Sequence, residues 1–291
     1  MSGGIPDPAA PLTPTGNLHR RQIFSKVTEY GATAAAVLAI AVLGIVVYTV
    51  VSRGAAALSL DFIFTAAPTG IGPELVGTGI IVLIATAIAA PLGVLIALFL
   101  TEYAGNRAAG PIRLTLDLMN GLPSIIIGLF IFGLLVNHKK QSGFAAAVAL
   151  AIIELPLIAR GSQEILLLVP NGMREAADAL GVARWRSVLG VILPSALGGI
   201  VTSTVLAVAR AAGETAPLIF ATSVFDPGLF SFNPFEVLPN IPVRIYELSE
   251  EGNPEGFTQA WGLSLLLVSA ILFASLGARA LLARSKRKMT S

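Results

Sequence analysis

Long apolar stretches separated by short polar segments dominate the chain. A helix that crosses the hydrocarbon core of a bilayer needs about 20 mostly apolar residues, and six stretches approach that length. They run from about Ala34 to Val51, Gly79 to Thr101, Ser124 to Val136, Phe144 to Ile158, Ile192 to Phe220 and Trp261 to Leu282. The third reaches full length only with residues 119–123. The pattern predicts an all-α, polytopic membrane protein with six transmembrane helices.

Composition supports this prediction, because charge is scarce. Of the 291 residues, 55% are hydrophobic and 12% are charged, whereas soluble domains carry about 25% charged residues. An ordinary soluble enzyme is therefore excluded. The chain has no Cys and two His, so a thiolate metal site is excluded and the composition argues against a histidine site. We predict no metal site and no catalytic residue.

The cationic residues are sorted between the two sides of the predicted helices. With a cytoplasmic N-terminus, fourteen Lys and Arg residues lie on the cytoplasmic side and four on the other, while Arg210 falls inside the fifth span. Cytoplasmic loops carry the excess of Lys and Arg. The distribution predicts a multi-pass protein of the inner (plasma) membrane with both termini cytoplasmic. The Lys139–Lys140 pair is the exception, because this topology places it on the periplasmic side.

This topology divides the chain into four parts. We predict a disordered cytoplasmic tail over 1–31, a first transmembrane helix with a periplasmic loop over 32–75, a five-helix core over 76–284 and a basic cytoplasmic tail over 285–291. The later loop, 224–258, is acidic yet rich in Phe, Leu and Pro, which is too apolar for a free loop. We expect it to contain a short surface or re-entrant helix near Ile241–Ser249 and to form part of a periplasmic gate or a dock for a binding protein.

The cytoplasmic loop at about 166–187 has the pattern of two short helices. Pro170 and Asn171 start the first helix, and Gly181 ends it in the left-handed conformation. A second helix begins near Ala183. Small Ala residues are expected to face outward, where a partner could pack closely. From the residues alone, an amphipathic hairpin in the lipid headgroups remains an equal alternative.

The same loop resembles a known motif. Glu175-Ala176-Ala177, then Gly181, then Val191-x-Leu193-Pro194 is similar to the EAA motif of membrane permeases of binding-protein-dependent ABC importers, although the family usually has Ile in place of Val191. The resemblance implies that Glu175, Ala176, Ala177 and Gly181 couple the chain to a cytoplasmic ATPase. A P-loop needs Gly-Lys, and this dipeptide does not occur in the chain. ATP and Mg²⁺ would therefore be bound by the partner ATPase, with no cofactor in this chain.

Three charges fall within predicted spans, namely Glu154, Arg210 and Glu214. Charges inside a membrane are costly and often functional. Arg210 and Glu214 are four residues apart and are expected to share a helix face. They form either an ion pair that fixes helix packing or an anion site, in which the Arg fork binds an oxyanion. Gly213 and Pro217 are expected to weaken or kink this span.

Residues 210–218, Arg-Ala-Ala-Gly-Glu-Thr-Ala-Pro-Leu, resemble the fifth-span signature of PstA-type permeases of phosphate ABC importers, and the resemblance covers about 76–282. It implies the type I ABC importer permease fold for the 76–284 core. It also implies a substrate pathway through Arg210, Glu214, Thr215 and Arg160, although Gln163 replaces an acidic residue common in the family.

The implied partners are a PstC-like homologous permease, two copies of a PstB-like ATPase, a periplasmic PstS-like phosphate-binding protein, phosphate and the lipid bilayer, with no nucleic acid. Residue types alone leave open a permease for sulfate or molybdate. A second alternative is an ATP-independent secondary transporter, but the EAA-like loop would then have no function. A third is an intramembrane enzyme, which the lack of thiols and of His within the spans opposes.

Overall fold

The computed structural model describes residues 18–66, 70–103, 105–137, 140–222 and 230–290. Within these ranges the regular elements are all helical and no strand occurs. Residues 1–17, Lys139 and residues 223–229, which carry parts of the predicted tail and loops, lie outside the described residues. The chain forms two units, residues 1–51 and 52–291. The all-α prediction is confirmed for the described residues.

Twelve α-helices follow one another in the described chain. They are α1 Leu18–Gly54, α2 Leu60–Phe64, α3 Gly72–Leu98, α4 Asn106–Gly121, α5 Ser124–Ile131, α6 Gly143–Leu167, α7 Asn171–Ala179, α8 Arg184–Ser187, α9 Leu193–Ala211, α10 Ala216–Thr222, α11 Ile241–Glu250 and α12 Pro254–Thr290. A 3₁₀ turn at Ala55–Ala57 follows α1, and π-helical turns at Phe99–Tyr103, Phe132–Val136 and Val188–Ile192 continue α3, α5 and α8.

Five helical segments of the described chain are long and apolar enough to cross a membrane. They are Arg20–Ala57, Gly72–Tyr103, Gly143–Leu167, Arg184–Ala211 and Pro254–Ala278. A sixth is added if the bent pair 107–121 and 124–136 is counted as one span. The prediction of a polytopic protein is therefore confirmed, and the number six depends on that pair.

The third predicted span differs from the straight helix that we expected. Residues 119–123 do not lengthen α5, because α4 ends at Gly121 and its axis meets that of α5 at 97°. Leu122 is extended, with φ −70° and ψ 130°. Pro123 explains this conformation, since a proline disfavours the helical region for the residue before it.

The fifth predicted span is also interrupted. Its helix begins at Arg184 and ends at Ala211, and the separate helix α10 begins only at Ala216. The predicted weakening at Gly213 and Pro217 is thus a complete break. Glu214 lies beyond the end of α9, so the expectation that it shares a helix face with Arg210 is wrong.

The first helix begins earlier than predicted. Residues 18–31, assigned to a disordered tail, form the first turns of α1. Adding one residue to an existing helix is far easier than nucleating a new one, and residues 18–30 contain neither Gly nor Pro. The apolar helix therefore extends into its polar flank.

Helix α6 lies at the centre of the second unit. In its most apolar stretch 67% is buried, against 28% or less for the other candidate spans. It packs on α3 and α9 through small side chains, and Ala146, Ala149 and Ala85 are fully buried. Small residues let helix backbones approach closely in membranes. The packing fixes α3, α6 and α9 side by side.

The predicted helix of the 224–258 loop is present as α11. Asn240 caps it by accepting a 3.1 Å hydrogen bond from the Val243 amide. Ile241 and Leu248 are buried with Phe62 and Leu263 in one apolar cluster. The helix is therefore packed against the fold, as the apolar composition of the loop indicated.

Candidate functional site

Arg210 lies in the last turn of α9, just before residues 212–215 interrupt the helix. Its Nε lies 3.8 Å from Oε1 of Glu214, and its side chain is 63% exposed. This distance exceeds that of a good hydrogen bond, and the described residues place no hydrogen bond on the guanidinium. The two predicted residues are thus brought together in a loose ion pair that leaves the donors of Arg210 available.

Two cavities meet at Arg210. The larger, about 480 Å³, lies between α6 and α9 and is lined by Glu164, Thr202 and Ser203 as well as Arg210. The smaller, about 190 Å³, lies at the bend between α4 and α5 and contains Asn120, Ser124, Arg210 and Glu214. Arg210 therefore connects a cavity that is mainly apolar apart from these polar residues with the bend that Pro123 creates.

Close helix packing shapes the larger cavity. A Cβ atom on Gly161 of α6 would lie 2.6 Å from Cβ of Ser203, and one on Gly199 of α9 would lie 2.4 Å from Cγ2 of Ile165. No side chain fits at either position without movement. These glycines bring the polar face of α9 against α6.

The other predicted pathway residues lie elsewhere. Arg160 of α6 forms an ion pair with Asp117 of α4, and its Nη2 donates a 3.1 Å hydrogen bond to the Arg113 carbonyl. Neither cavity at Arg210 is lined by Arg160 or Thr215. Thr215 directly precedes α10, and its carbonyl accepts a 3.0 Å hydrogen bond from the Leu218 amide. Their roles in transport remain predictions.

Glu154 is fully buried in α6. Its Oε2 accepts a 3.1 Å hydrogen bond from Oγ1 of Thr86, and its Oε1 has no protein partner within the described chain. The contact joins α6 to α3. The sequence identified the charge but not its partner.

The predicted two-helix loop is present at 171–187. Helix α7 begins at Asn171 and ends at Ala179, and Gly181 adopts the expected left-handed conformation with φ +66°. Glu175 and Ala176 are exposed, as is 81% of Leu180. Ala177 is only 8% exposed, so the expectation that it faces outward is wrong. It lies on the face of α7 that packs against the fold.

Sequence reasoning missed the strongest contact of this loop. Arg174 of α7 binds Glu102 with Nη2 to Oε1 at 2.9 Å and Nε to Oε1 at 3.1 Å. Only 2% of the Glu102 side chain and 21% of the Arg174 side chain are exposed. Glu102 ends an apolar stretch and lies 72 residues from Arg174. An acid at the end of an apolar span was a signal in the sequence, but nothing there identified its partner.

Charged residues also cluster on α11. Arg244 Nη1 lies 3.4 Å from Oε2 of Glu247 and 3.8 Å from Oε1 of Glu251. Burial raises the pKa of the Glu247 carboxyl above its ordinary value, and the nearby Arg244 opposes this shift. The cluster lies outside the candidate spans, and with two carboxylates against one guanidinium it contains more acidic than basic groups.

The family described as binding-protein-dependent transport system inner membrane component matches residues 89–290. The phosphate transport system permease protein PstA of Xylella fastidiosa (strain 9a5c) is 35% identical over 246 residues, which cover 82% of this chain and 85% of the relative. PstA of Haemophilus influenzae is 37% identical, covering 78% and 82%. PstA 1 of Mycobacterium tuberculosis (strain CDC 1551 / Oshkosh) is 33% identical, covering 89% and 88%.

Solved structures show the same fold. The inward-facing MetNI methionine ABC transporter matches with a TM-score of 0.60 at 20% identity, over 78% of this chain and 99% of that one. A bacterial ABC transporter for alginate matches with a TM-score of 0.65 at 12% identity, over 90% and 99%. The fold is therefore that of an ABC importer permease, and the apolar helices make the chain a multi-pass membrane protein. This chain belongs to the family of binding-protein-dependent transport system inner membrane components.

Proposed function

We propose that this chain is a permease subunit of an ATP-driven importer of inorganic phosphate and that it forms half of the translocation pathway. The observation that carries the proposal is the 33–37% identity to PstA phosphate permeases over most of the chain. Arg210, where the two cavities meet, supplies the chemistry that such a substrate needs.

Arg210 is suited to a tetrahedral oxyanion. A guanidinium presents parallel N–H donors that bind a phosphate in bidentate fashion. Glu214 lies near enough to orient the guanidinium, yet at 3.8 Å it does not occupy its donors. When the anion arrives, the carboxylate repels it, which keeps binding weak enough for release. The pair thus serves as a transient station in an alternating-access cycle.

The energy for transport comes from outside this chain. The sequence lacks the Gly-Lys of a P-loop, so ATP and Mg²⁺ are held by the partner, a PstB-like ATPase present in two copies. A PstC-like permease supplies the other half of the pathway, and a PstS-like binding protein delivers phosphate. With the Lys and Arg distribution described above, both termini and α7 lie in the cytoplasm.

Helix α7 carries the surface for the ATPase. Glu175 and Ala176 are exposed on α7, and Leu180 is exposed directly after it. Small side chains there let a partner approach closely. Glu175→Lys is expected to weaken ATPase docking. The same change at Glu29, which is exposed on α1, serves as the control. If the Glu175 variant binds and stimulates the ATPase as well as the wild type, the docking surface is elsewhere.

The test of the whole proposal is uptake of labelled phosphate by the reconstituted complex. Arg210→Gln is expected to keep assembly and abolish phosphate uptake, whereas Arg107→Gln, an exposed charge on α4, should leave uptake intact. Competition by sulfate or molybdate stronger than competition by phosphate would assign the chain to another oxyanion. Wild-type uptake by the Arg210 variant would remove Arg210 from the pathway.

A further inference from the structure

Helix α7 is joined by the chain itself to two helices only. Residues 168–170 connect it to α6, and α8 with its π-helical turn leads on to α9. Any movement that α7 receives therefore reaches α6 and α9 through covalent connections. Helix α3 is remote in sequence, so movement reaches it only through side-chain contacts, either across its packing on α6 or directly from α7.

Arg174 provides a non-covalent connection of this kind. Arg174 makes three hydrogen bonds to Glu102. In addition, its Nη1 donates to the Val169 carbonyl at 2.7 Å and to Oδ1 of Asn171 at 3.2 Å, and its Nη2 donates to the Leu166 carbonyl at 2.9 Å. Leu166 lies in the last turn of α6 and Val169 two residues beyond its end, the region in which helix carbonyls lose their i+4 amide partners. One guanidinium thus holds together the ends of α3 and α6 and the start of α7.

Burial makes this connection rigid. Because 2% of the Glu102 side chain is exposed, its charge depends on Arg174 rather than on water. Removing one partner of a buried ion pair leaves an uncompensated charge, which is strongly unfavourable. The planar fork of Arg also fixes the relative orientation of the two groups, which a single point contact would not do.

A second contact lies next to the first. The guanidinium of Arg184 in α8 lies 5.9 Å from the ring centroid of Tyr103, within range of a cation–π interaction. Glu102 and Tyr103 both belong to the π-helical turn that ends α3. Glu102 and Tyr103 are consecutive residues of that turn, and they contact α7 and α8 respectively.

We propose that Glu102 and Arg174 are a positioning pair that makes α3 move together with α7, so that α3, α6 and α9 respond to the ATPase as one body. The proposal rests on the function proposed above only in assigning α7 to the ATPase surface. It assigns Glu102 and Arg174 no contact with phosphate or ATP. Their effect is on coupling.

The first experiment measures phosphate transported per ATP hydrolysed by the reconstituted complex. Glu102→Gln and Arg174→Lys are expected to lower this ratio by about tenfold, within the range typical of allosteric coupling, at equal amounts of bound ATPase. Arg186→Gln removes an exposed charge of the same loop and should leave the ratio unchanged. A merely structural role would lower the yield of complex and leave the ratio as it was.

The second experiment does not depend on the substrate. The chain has no Cys, so Leu95→Cys on α3 and Ala179→Cys on α7, both at exposed positions, can carry a pair of spin labels. In otherwise wild-type protein the label distance is expected to stay narrow and constant between nucleotide-free and ATP-bound complexes. Arg174→Lys should broaden it or make it depend on nucleotide.

The outcomes separate this inference from the proposed function. An unchanged transport ratio together with an unchanged, narrow distance in both variants would overturn the positioning role. The wild-type complex could instead move no phosphate, while its label distance stays constant and the distance in the variants broadens. The positioning role then stands and the substrate assignment fails. Partial recovery of the narrow distance in the exchanged pair Glu102→Arg with Arg174→Glu would support the ion pair as its cause.

Discussion

Thr86 Oγ1 donates a 3.1 Å hydrogen bond to Oε2 of Glu154, and this bond joins α3 to α6 where the fold is most buried. No part of Glu154 is exposed. The intramembrane charge that the sequence singled out therefore has a polar partner on the neighbouring helix, and the geometry favours a role in packing over one in the substrate pathway.

Glu154→Gln is expected to leave uptake intact and to maintain or raise the free energy of unfolding. The amide oxygen can still accept from Thr86, and no buried charge remains to be compensated. Thermal unfolding of the purified complex in detergent measures the stability. Loss of transport in a stable Glu154→Gln complex would contradict the packing role.

The Thr86–Glu154 bond itself can be measured by a double-mutant cycle. With Thr86→Val and Glu154→Leu, the interaction energy is expected near 0.6 kcal/mol and below about 1.7 kcal/mol, the range found for hydrogen bonds between membrane helices. A cycle that gives no interaction energy would show that the hydrogen bond contributes nothing to stability.

Arg160 and Asp117 form a partly exposed ion pair between α6 and α4, with 29% and 61% of their side chains exposed. Such pairs contribute about 0–1 kcal/mol to stability, so Asp117→Asn should assemble normally. If Arg160 acts by holding α4, then Arg160→Gln and Asp117→Asn lower phosphate uptake alike, and the double variant is no worse than either. If Asp117→Asn takes up phosphate normally while Arg160→Gln takes up none, Arg160 contacts the anion directly.

Gly77 and Gly79 on α3 give a matched pair of substitutions. A Cβ on Gly77 would meet the Pro239 carbonyl oxygen, a backbone atom that cannot rotate away, whereas nothing lies within 4 Å of one on Gly79. Gly77→Ala is expected to lower the free energy of unfolding by about 1–3 kcal/mol, the cost of overpacking. Gly79→Ala should be neutral or stabilising, because Ala favours a helix over Gly by up to about 1 kcal/mol. Equal midpoints of thermal unfolding for the two variants would contradict this close approach.

Gly181 ends the α7 segment with φ +66°, and a side chain is strained there. Gly181→Val should reduce ATPase stimulation through the loop, since an L-residue pays about 1–2 kcal/mol in the left-handed region. Gly181→Asn should be tolerated better, because Asn adopts this conformation more readily. Gly172→Ala, in the first turn of α7 with no atom within 4 Å, is the control. Equal stimulation by the Val and Asn variants would show that this backbone conformation is not needed.

Local signals allowed much of the fold to be predicted. Apolar length identified the membrane helices, Pro170 with Gly181 marked the limits of α7, and the apolar 224–258 loop indicated α11. Each of these features depends on a few neighbouring residues, through hydrophobic periodicity or a preferred backbone conformation. They could therefore be read from one sequence.

Breaks in the helices could be predicted only in part. Gly213 with Pro217 indicated a weak point, but a proline in a span can either kink a helix or end it, depending on whether neighbours satisfy the freed backbone groups. Pro91 and Pro156 remain inside α3 and α6, whereas Pro123 lies at a 97° bend. Tertiary surroundings decide between these results.

The sequence by itself determined that this chain is a helical membrane protein with an EAA-like loop and an Arg–Glu pair near a helix break. Only the tertiary structure decided that Arg210 joins two cavities, that Arg160 pairs with Asp117 and that Arg174 pairs with Glu102. These ion-pair partners are 43 and 72 residues apart. Several acids and bases were available to each, and the choice among them follows from which helix faces pack together, a property of the whole fold that no local pattern encodes.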